Sequence, residues 1–426
     1  MPKALQCDVA VIGGGPGGLA AAVAARKRGA ERVYVIERAE ELGGILQQCI
    51  HNGFGLEALG VDLPGPAYAQ HFVERADEVG VQALLDTMVL EVTPDRRIYA
   101  TNSRQGVMEV EAGAVVFGMG CRERTRGALA IPGTRPAGVF TAGTAQRLVN
   151  IEGCVPGRRF VILGSGDIGM IMARRLTLEG ATVERVLEIM PYLSGLRRNL
   201  VQCLQDYDIP LQLRRTVHEI KGRQRVEAVV SVAVDKHSQP IPGSEETIPC
   251  DTLLLSVGLI PENELSRRVG IAMDPSTGGP VVDEGMGTSL PGFFAAGNVV
   301  HVYDLVDWVT MAGEIAGRSA ADCALGKSHS GVARLRTVAG QNVRYVVPHW
   351  LDPGSLESNP QQLQLRVRQP IEAKVNIVVT ADGVEILHKT ERYVRPGEMV
   401  FVELTSDLYK RLPKAAKELR VSVYRP

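Results

Sequence analysis

Two glycine-rich segments, each at the end of a short apolar run, constrain this chain more than any other feature. The first reads Val11-Ile12-Gly13-Gly14-Gly15-Pro16-Gly17-Gly18, and the second Val161-Ile162-Leu163-Gly164-Ser165-Gly166-Asp167-Ile168-Gly169. Each opens a stretch rich in Ala, Leu and Met. Each is answered by an acid at the end of the next apolar run: Glu37 lies 24 positions after Gly13, and Glu188 lies 24 after Gly164. The chemistry behind the pattern is specific. The first glycine permits a tight turn out of a strand, the second lets backbone N–H groups approach a pyrophosphate, and the third lets helix and strand pack closely. The helix N-terminus offers free N–H donors and a partial positive charge to the phosphates. The acid accepts hydrogen bonds from ribose hydroxyls and repels a 2′-phosphate. A lone match is often an ordinary glycine turn. Two matches at one spacing imply two dinucleotide sites on one chain.

The flanking sequence supports this reading. Residues 9–12 are strand-like, 19–28 form a strong helix signal ending at Gly29 as a C-cap, and 33–36 read as the next strand. The second segment repeats the order: strand 160–163, helix to about 179 with Gly180 behind it, and strand 183–189.

Composition sets the outer bounds. A chain of 426 residues suits two or three domains, and 45% hydrophobic with 22% charged residues is ordinary for a globular protein. A formal net charge of −1 without charged blocks argues against nucleic acid or an anionic membrane as the main partner. No run approaches the ~18 apolar residues of a membrane span. The first residues pass straight into a strand without a signal-peptide pattern, so the expected location is cytoplasmic. The seven cysteines, at 7, 49, 121, 154, 203, 250 and 323, form no CxxC and no zinc-ligand spacing with His. They read as reduced, mostly buried thiols, with no metal expected.

Along the chain, a glycine-rich helical stretch is expected at 42–59 and a helix at 66–79. Strands are expected at 81–92, 97–101 and 107–117, the last closing in Gly118-Met119-Gly120. Residues 121–140, rich in Arg, Gly and Pro, read as a crossing linker. The second dinucleotide unit ends in an apolar run at 252–257 followed by Gly258. A strand-like 280–283, a buried strand over 292–299 and a helix over 305–325 follow. Beyond 335 alternating segments recur at 343–347, 363–367, 375–380, 384–388, 399–404 and 419–424, with Asp382-Gly383 as a hairpin signal. They predict a small antiparallel sandwich, immunoglobulin-like, serving as a packing or interaction module.

Over about residues 6–326 these features resemble the two-dinucleotide-domain flavoproteins of the pyridine nucleotide–disulfide oxidoreductase superfamily. The resemblance implies an α/β fold with two Rossmann-like three-layer domains, the FAD domain split by an inserted NAD domain, plus the C-terminal β-sandwich-like domain. The boundaries it implies are 1–118 and 259–330 for FAD, 119–258 for NAD, and 335–426 for the β module. FAD would then be held by Gly13, Gly15, Pro16, Gly17, Gly18, Glu37, Arg38, Gly43, Gly44, Val89, Gly118, Gly120, Gly297 and Asn298. NAD would be held by Gly164, Gly166, Asp167, Ile168, Gly169, Glu188 and Gly258, with Glu188 favouring NAD over NADP. Gly118–Gly120 and Gly258 are candidate pivots between the two domains.

The runs 43–54, 121–129 and 297–307 resemble a bacterial subgroup encoded beside a glycerol-3-phosphate-dehydrogenase-like flavoprotein. That subgroup is similar in layout to the NAD/FAD subunits of opine oxidase and hydrogen cyanide synthase. The implied role is one component of a hetero-oligomer that passes electrons between NAD(H), its own FAD and a flavoprotein dehydrogenase oxidising a small metabolite, glycerol 3-phosphate leading. Two departures matter. Disulfide reductases carry CxxxxC after the paired glycines; here those positions are Leu46 and His51, and the inserted domain has no CxxC. Dithiol exchange therefore lacks its two sulfurs. Asn298 stands where the family usually has Asp.

Cys49 and His51 are the candidate catalytic side chains, a thiol and an acid–base group expected near the flavin, against the plainer reading of two packed residues. Cys49 keeps open a self-contained NADH oxidase or peroxidase using a sulfenic acid. A flavin-bearing scaffold or redox sensor is the third reading. Arg122, Arg124 and Arg126 read as a solvated linker with local ion pairs. Asp304 suits a helix N-cap or first-turn acid beside Asp307, and Trp308 suits a core or interface position.

Overall fold

The computed structural model describes residues 4–327, 335–358, 360–413 and 416–426. The chain divides into two compact units. One comprises Met1–Cys121 with Pro261–Pro426, the other Arg122–Ile260. The first crossing follows Gly120 (φ 73°) and the second follows Gly258 (φ 96°), both in the left-handed region that favours glycine.

In the larger unit a sheet forms around Ala4–Ile12. This strand pairs in parallel with Val33–Ile36 on one side and Gly106–Phe117 on the other. The twelve-residue strand Gly106–Phe117 serves two layers. Its first half pairs antiparallel with Arg97–Asn102, and its last residues pair in parallel with Phe293–Ala295. Its two faces alternate only in the first half; from Ala114 to Phe117 every side chain is buried, as befits a strand covered on both faces. Helix Pro16–Arg28 is buried along Gly17–Ala25 because helix Val306–Ala324 lies directly against it. A Cβ on Gly313 would lie 2.2 Å from the Gly17 carbonyl oxygen, and one on Gly317 would lie 2.0 Å from that of Ala21. Only glycine allows this backbone-to-backbone approach.

The C-terminal residues form two packed sheets. One runs in the order Trp350–Leu351, Leu335–Ala339, Glu418–Tyr424, Val375–Ala381, Val384–Glu391; the other is Val343–Val347, Gln361–Val367, Val400–Leu404. Leu363, Leu365, Ile377, Val402 and Val421 fill the space between them. The Asp382–Gly383 turn has φ of 44° and 89°, the doubly positive geometry of a tight hairpin. The module is not purely antiparallel: Leu335–Ala339 and Glu418–Tyr424 run in parallel. Its first and last strands can do so because the rest of the module supplies the long crossover that parallel pairing needs.

Four other segments differ from what the sequence predicts; the strand expected over 292–299 spans only Phe293–Ala295, because Gly297 (φ 74°) turns the chain into the 3-10 helix Gly297–Val299. The 42–59 stretch is not a continuous helix. Gly43 (φ 109°) and Gly44 (φ 57°) turn the chain into a short 3-10 helix Gly44–Gln48, and a small hairpin Asn52–Phe54/Leu63–Pro64 follows. The 81–92 strand is broken at Asp86, whose φ is 49°. Residues 280–283 make only isolated bridges, Met273 to Pro280 and Asp283 to Trp350.

The smaller unit holds a parallel sheet in the order Val139–Thr141, Thr252–Leu255, Arg159–Leu163, Thr182–Glu188, Leu211–Leu213. Helices Ala142–Asn150 and Asp167–Leu178 cover one face, packing Ala145, Met170, Met172 and Leu176 against Phe160, Ile162 and Leu254. The other face packs Val161, Leu187 and Leu253 against Val217, Ile220 and Val229 of an antiparallel three-stranded sheet that no sequence motif announces. In the crossing segment, the Arg126 guanidinium donates to the carbonyls of Ile131, Pro132 and Gly133, so this stretch is tied down locally.

Candidate dinucleotide cradles

In the first cradle each glycine has a steric reason. A Cβ on Gly18 would lie 1.9 Å from the Gly13 carbonyl oxygen, and one on Gly13 would lie 2.5 Å from that of Gly118. Gly15 has open space beside it and is the N-cap of helix Pro16–Arg28, with no side-chain cap and no acid in the first turn. The helix N-terminal donors therefore meet no negative side chain of that turn. Pro16 fits the first helical position, where its missing N–H costs nothing. The second strand ends in Glu37, 8% exposed. Its Oε2 accepts from the Gly14 amide at 2.6 Å and its Oε1 from the Ala39 amide at 2.9 Å. Gly43 closes the cradle by donating its amide to the Gly14 carbonyl at 2.8 Å. A Cβ on Gly44 would lie 3.0 Å from the Gly15 Cα. Arg38 is exposed beside Glu37, and Val89 is buried in the core below.

The second cradle repeats the plan with different details. Gly164 (φ 99°) passes over Ser256, whose carbonyl oxygen would lie 2.1 Å from a Cβ there. The Ser256 hydroxyl accepts from the Gly169 amide at 3.0 Å. Helix Asp167–Leu178 begins at Gly166, with Ile168 half-buried in its first turn. Asp167 turns its Oδ1 onto the Leu196 amide at 2.8 Å and the Asn199 side-chain amide at 2.6 Å. Glu188, 3% exposed, accepts from the Ser165 amide at 2.9 Å and from the Met190 amide at 2.9 Å. The hydroxyls of Ser165 and Ser194 also donate to its Oε2, at 2.6 and 2.8 Å.

The remaining predicted residues of the larger unit lie on the turn after Gly44 and on the turn that follows strand Phe293–Ala295. Cys49 ends the 3-10 helix, half-buried, with its Sγ donating to the Ile45 carbonyl at 3.3 Å. His51 Nδ1 lies 2.9 Å from the Asn52 carbonyl oxygen, and its ring leans on Phe54 at 5.1 Å. Gly297 (φ 74°) carries Asn298 into a short turn. There Asn298 Oδ1 accepts from the Tyr303 amide at 3.0 Å, and Nδ2 lies 3.5 Å from Cys121 Sγ. The deeply buried thiols are of another kind: burial pushes Cys7 up to about 12, and Cys203 and Cys250 up to about 11, so all three stay protonated at neutral pH.

Asp304 is not the helix N-cap; Leu305 is, and it contributes no side-chain bond. Asp304 instead accepts from the Met399 amide at 2.8 Å and faces Arg366 at 3.9 Å, because the C-terminal module packs there. Asp307 is the first-turn acid. Its carboxylate accepts from the amides of Ala58 at 2.8 Å and Gly55 at 3.3 Å, fastening the hairpin loop to the late helix. Trp308 packs its ring 4.4 Å from Phe401. His301 stands out only in the structure. It is fully buried, with Nε2 3.0 Å from Gln364 Oε1 and Nδ1 3.4 Å from the Tyr345 hydroxyl. Its sequence signal is weak, since its partners lie on another part of the chain.

Both cradles fit a dinucleotide: each has a glycine turn that a Cβ would block, a helix N-terminus behind it, and a buried carboxylate fixed by backbone amides. Among the described residues no helix is long and apolar enough to cross a membrane.

Residues 7–315 match the model of the pyridine nucleotide-disulphide oxidoreductase family. One of the opine oxidase subunits of Agrobacterium tumefaciens is 28% identical over 75% of this chain and 65% of its own length. The HcnB component of hydrogen cyanide synthase from Pseudomonas protegens is 25% identical over 63% of this chain and 60% of its own length. The chain thus spans less than two thirds of these two relatives. The small chain of the NADPH glutamate synthase of Escherichia coli is 28% identical over 74% of this chain and 67% of its own length. Among solved structures, T. acidophilum thioredoxin reductase superposes with a TM-score of 0.61 at 23% identity, covering 75% of this chain and 99% of that one. That likeness speaks for the fold. The chain belongs to the pyridine nucleotide-disulphide oxidoreductase family, whose members are oxidoreductases that use FAD and a nicotinamide dinucleotide.

Proposed function

We propose that the first cradle holds FAD, the second holds NAD(H), and the chain serves as the nicotinamide-linked subunit of a larger oxidoreductase whose partner oxidises a small metabolite. The observation that carries this reading is the pair of buried glutamates, Glu37 and Glu188, each anchored by the amide that follows the first glycine of its cradle. Residues 1–118 and 259–330 are assigned to FAD and 119–258 to NAD.

Bound FAD supplies two-electron exchange with a nicotinamide. The chain's own residues do the holding. The N-terminus of Pro16–Arg28 faces the pyrophosphate with backbone donors, and Glu37 accepts from the ribose. Gly297 and Asn298 present a backbone turn and a neutral amide to the flavin end. A carboxylate at Glu188 accepts ribose hydroxyls and repels a 2′-phosphate, which favours NAD over NADP.

The two positions of a family disulfide are Leu46 and His51, and the inserted domain has no CxxC. Electrons therefore leave the flavin by a route other than dithiol exchange. Two relatives are themselves named as subunits, of opine oxidase and of hydrogen cyanide synthase, which supports a partner protein. Neither name mentions glycerol 3-phosphate, so that expectation gains no support.

Anaerobic mixing of the flavin-loaded protein with NADH or NADPH tests the assignment. NADH should bleach the oxidised-flavin absorbance much faster than NADPH; equal rates would sink the NAD preference. Co-purification from the native host should bring down a second oxidoreductase chain, and a chain that isolates alone with full metabolite-oxidising activity would remove the partner.

A further inference from the structure

The two cradles are built alike but leave their glutamates with different hydrogen-bonding capacity. A carboxylate offers about four acceptor positions over its two oxygens. Among the described residues Glu37 has two protein donors, the amides of Gly14 and Ala39. Two positions remain, matching the two hydroxyls of a ribose. Glu188 has four protein donors: the amides of Ser165 and Met190 and the hydroxyls of Ser165 and Ser194. Three of these donors converge on Oε2, which is thereby saturated, and only one falls on Oε1, which keeps a single open position.

The difference traces to two residues. Ser165 occupies the place of Gly14, which has no side chain to donate. Ser194 occupies the place of Leu42, and the backbone shows why. The Gly43 amide donates to the Gly14 carbonyl at 2.8 Å, and the Gly195 amide donates to the Ser165 carbonyl at 3.0 Å. The residue before each of these glycines therefore leans toward the cradle glutamate. In the first cradle it is apolar Leu42, which cannot bond to Glu37. In the second it is Ser194, whose hydroxyl reaches Glu188 Oε2 at 2.8 Å. The Ser194 amide also donates to the Ser165 hydroxyl at 3.0 Å, holding this geometry.

We infer that Ser194 is an affinity- and selectivity-determining residue of the second cradle: its hydroxyl competes with the adenosine ribose for Glu188. This rests on the reading of that cradle as the NAD(H) site. The ribose gains its second bond to Glu188 only as the Ser194 hydroxyl turns away. The same hydroxyl, once turned, can donate to a 2′-phosphate, so Ser194 also softens the discrimination that a bare carboxylate imposes.

Calorimetric titration of the flavin-loaded protein with NAD⁺ and with NADP⁺ tests this without relying on turnover. Ser194→Ala and Ser194→Gly both delete the hydroxyl. Each should tighten the NAD⁺ Kd by about five- to tenfold, the size of one ordinary net hydrogen bond. Each should leave NADP⁺ binding unchanged or weaker, widening the NAD⁺/NADP⁺ ratio. Ser194→Thr keeps the hydroxyl and should bind like the wild type. A purely structural role for Ser194 would weaken both nucleotides together. NAD⁺ binding at an unchanged or weaker Kd in both deletion variants overturns the inference while leaving the cradle assignment standing. No NAD⁺ binding to wild type or variants overturns both.

Discussion

His301 gives the larger unit a measurable acid sensitivity. The imidazole is 0% exposed and sits between the turn after Gly297 and the C-terminal module, held by Gln364 and Tyr345. Burial, with the nearby Arg366 charge adding to it, lowers its pKa from 6.5 to about 3. The sign follows directly. Above pH ~6.5 the ring is neutral whether folded or unfolded and contributes nothing. Between ~6.5 and ~3 the unfolded chain binds a proton that the folded chain excludes, so stability falls as pH falls, by about 1.4 kcal/mol per unit. Two units below the free-histidine value the cost is about 2.7 kcal/mol. His301→Gln removes the titration while keeping a polar side chain, at a pH-independent cost of about 1–3 kcal/mol for imperfect hydrogen bonding. The wild type should therefore be the more stable protein at about pH 7.5 and should lose that advantage by about pH 4.5, where the two curves meet or cross. Urea denaturation followed by tryptophan fluorescence reads this unit selectively. Both tryptophans, Trp308 and Trp350, belong to it, and Trp308 packs on Phe401 of the module at 4.4 Å. A wild-type-minus-variant difference that stays flat across that pH range would refute the reasoning, because it would mean that the ring accepts its proton in place.

Other substitutions probe the cradle and its supports. Gly317→Ala, which places a methyl 2.0 Å from the Ala21 carbonyl oxygen, should push the late helix off helix Pro16–Arg28, cost about 1–3 kcal/mol, and lower flavin content through Gly17; thermal melts and the flavin-to-protein absorbance ratio read both. Glu37→Ala strips the Gly14 and Ala39 amides of their acceptor and removes the ribose contact proposed for it, so FAD affinity should fall at least about tenfold in equilibrium dialysis. Cys49→Ser should leave NADH-driven flavin reduction within about twofold of wild type in stopped flow. If peroxide turnover were robust in the wild type and vanished in that variant, Cys49 would become the catalytic thiol after all.

The parts of this molecule that are readable in advance are those where one backbone position imposes one residue type. Gly18 must be glycine because its Cβ would collide with a carbonyl oxygen at 1.9 Å, so the fingerprint is written in sequence as plainly as in space. The same holds for the Asp382–Gly383 turn. Segments governed by side-chain partners far along the chain are not readable. The loop after Gly44 contains Ile, Leu and Phe at spacings that suit a helix. Its path is set instead by Asp307, 252 positions beyond Gly55 and 249 beyond Ala58, accepting their amides. His301 depends on Gln364 in the same non-local way, 63 positions on. Gly313 and Gly317 do show a four-residue spacing, but in an Ala-rich helix that spacing has no meaning until helix Pro16–Arg28 is known to lie against it.

The matched spacing of the two fingerprints invites the inference that the two sites are equivalent, and the side chains argue otherwise. Backbone requirements alone produce the repeat: glycine at the turn, glycine at the helix start, an acid 24 positions on. Those requirements come from the pyrophosphate and the ribose, which FAD and NAD share. The two acids differ in the number of competing donors they already carry. Glu37, with two backbone donors and acceptor capacity to spare, suits a resident nucleotide. Glu188, with two serine hydroxyls added to two amides, suits one that exchanges each turnover, because release is assisted by groups that take back the carboxylate. The division of labour between the sites then lies in Gly14 against Ser165 and Leu42 against Ser194, outside the glycine positions that define the motif.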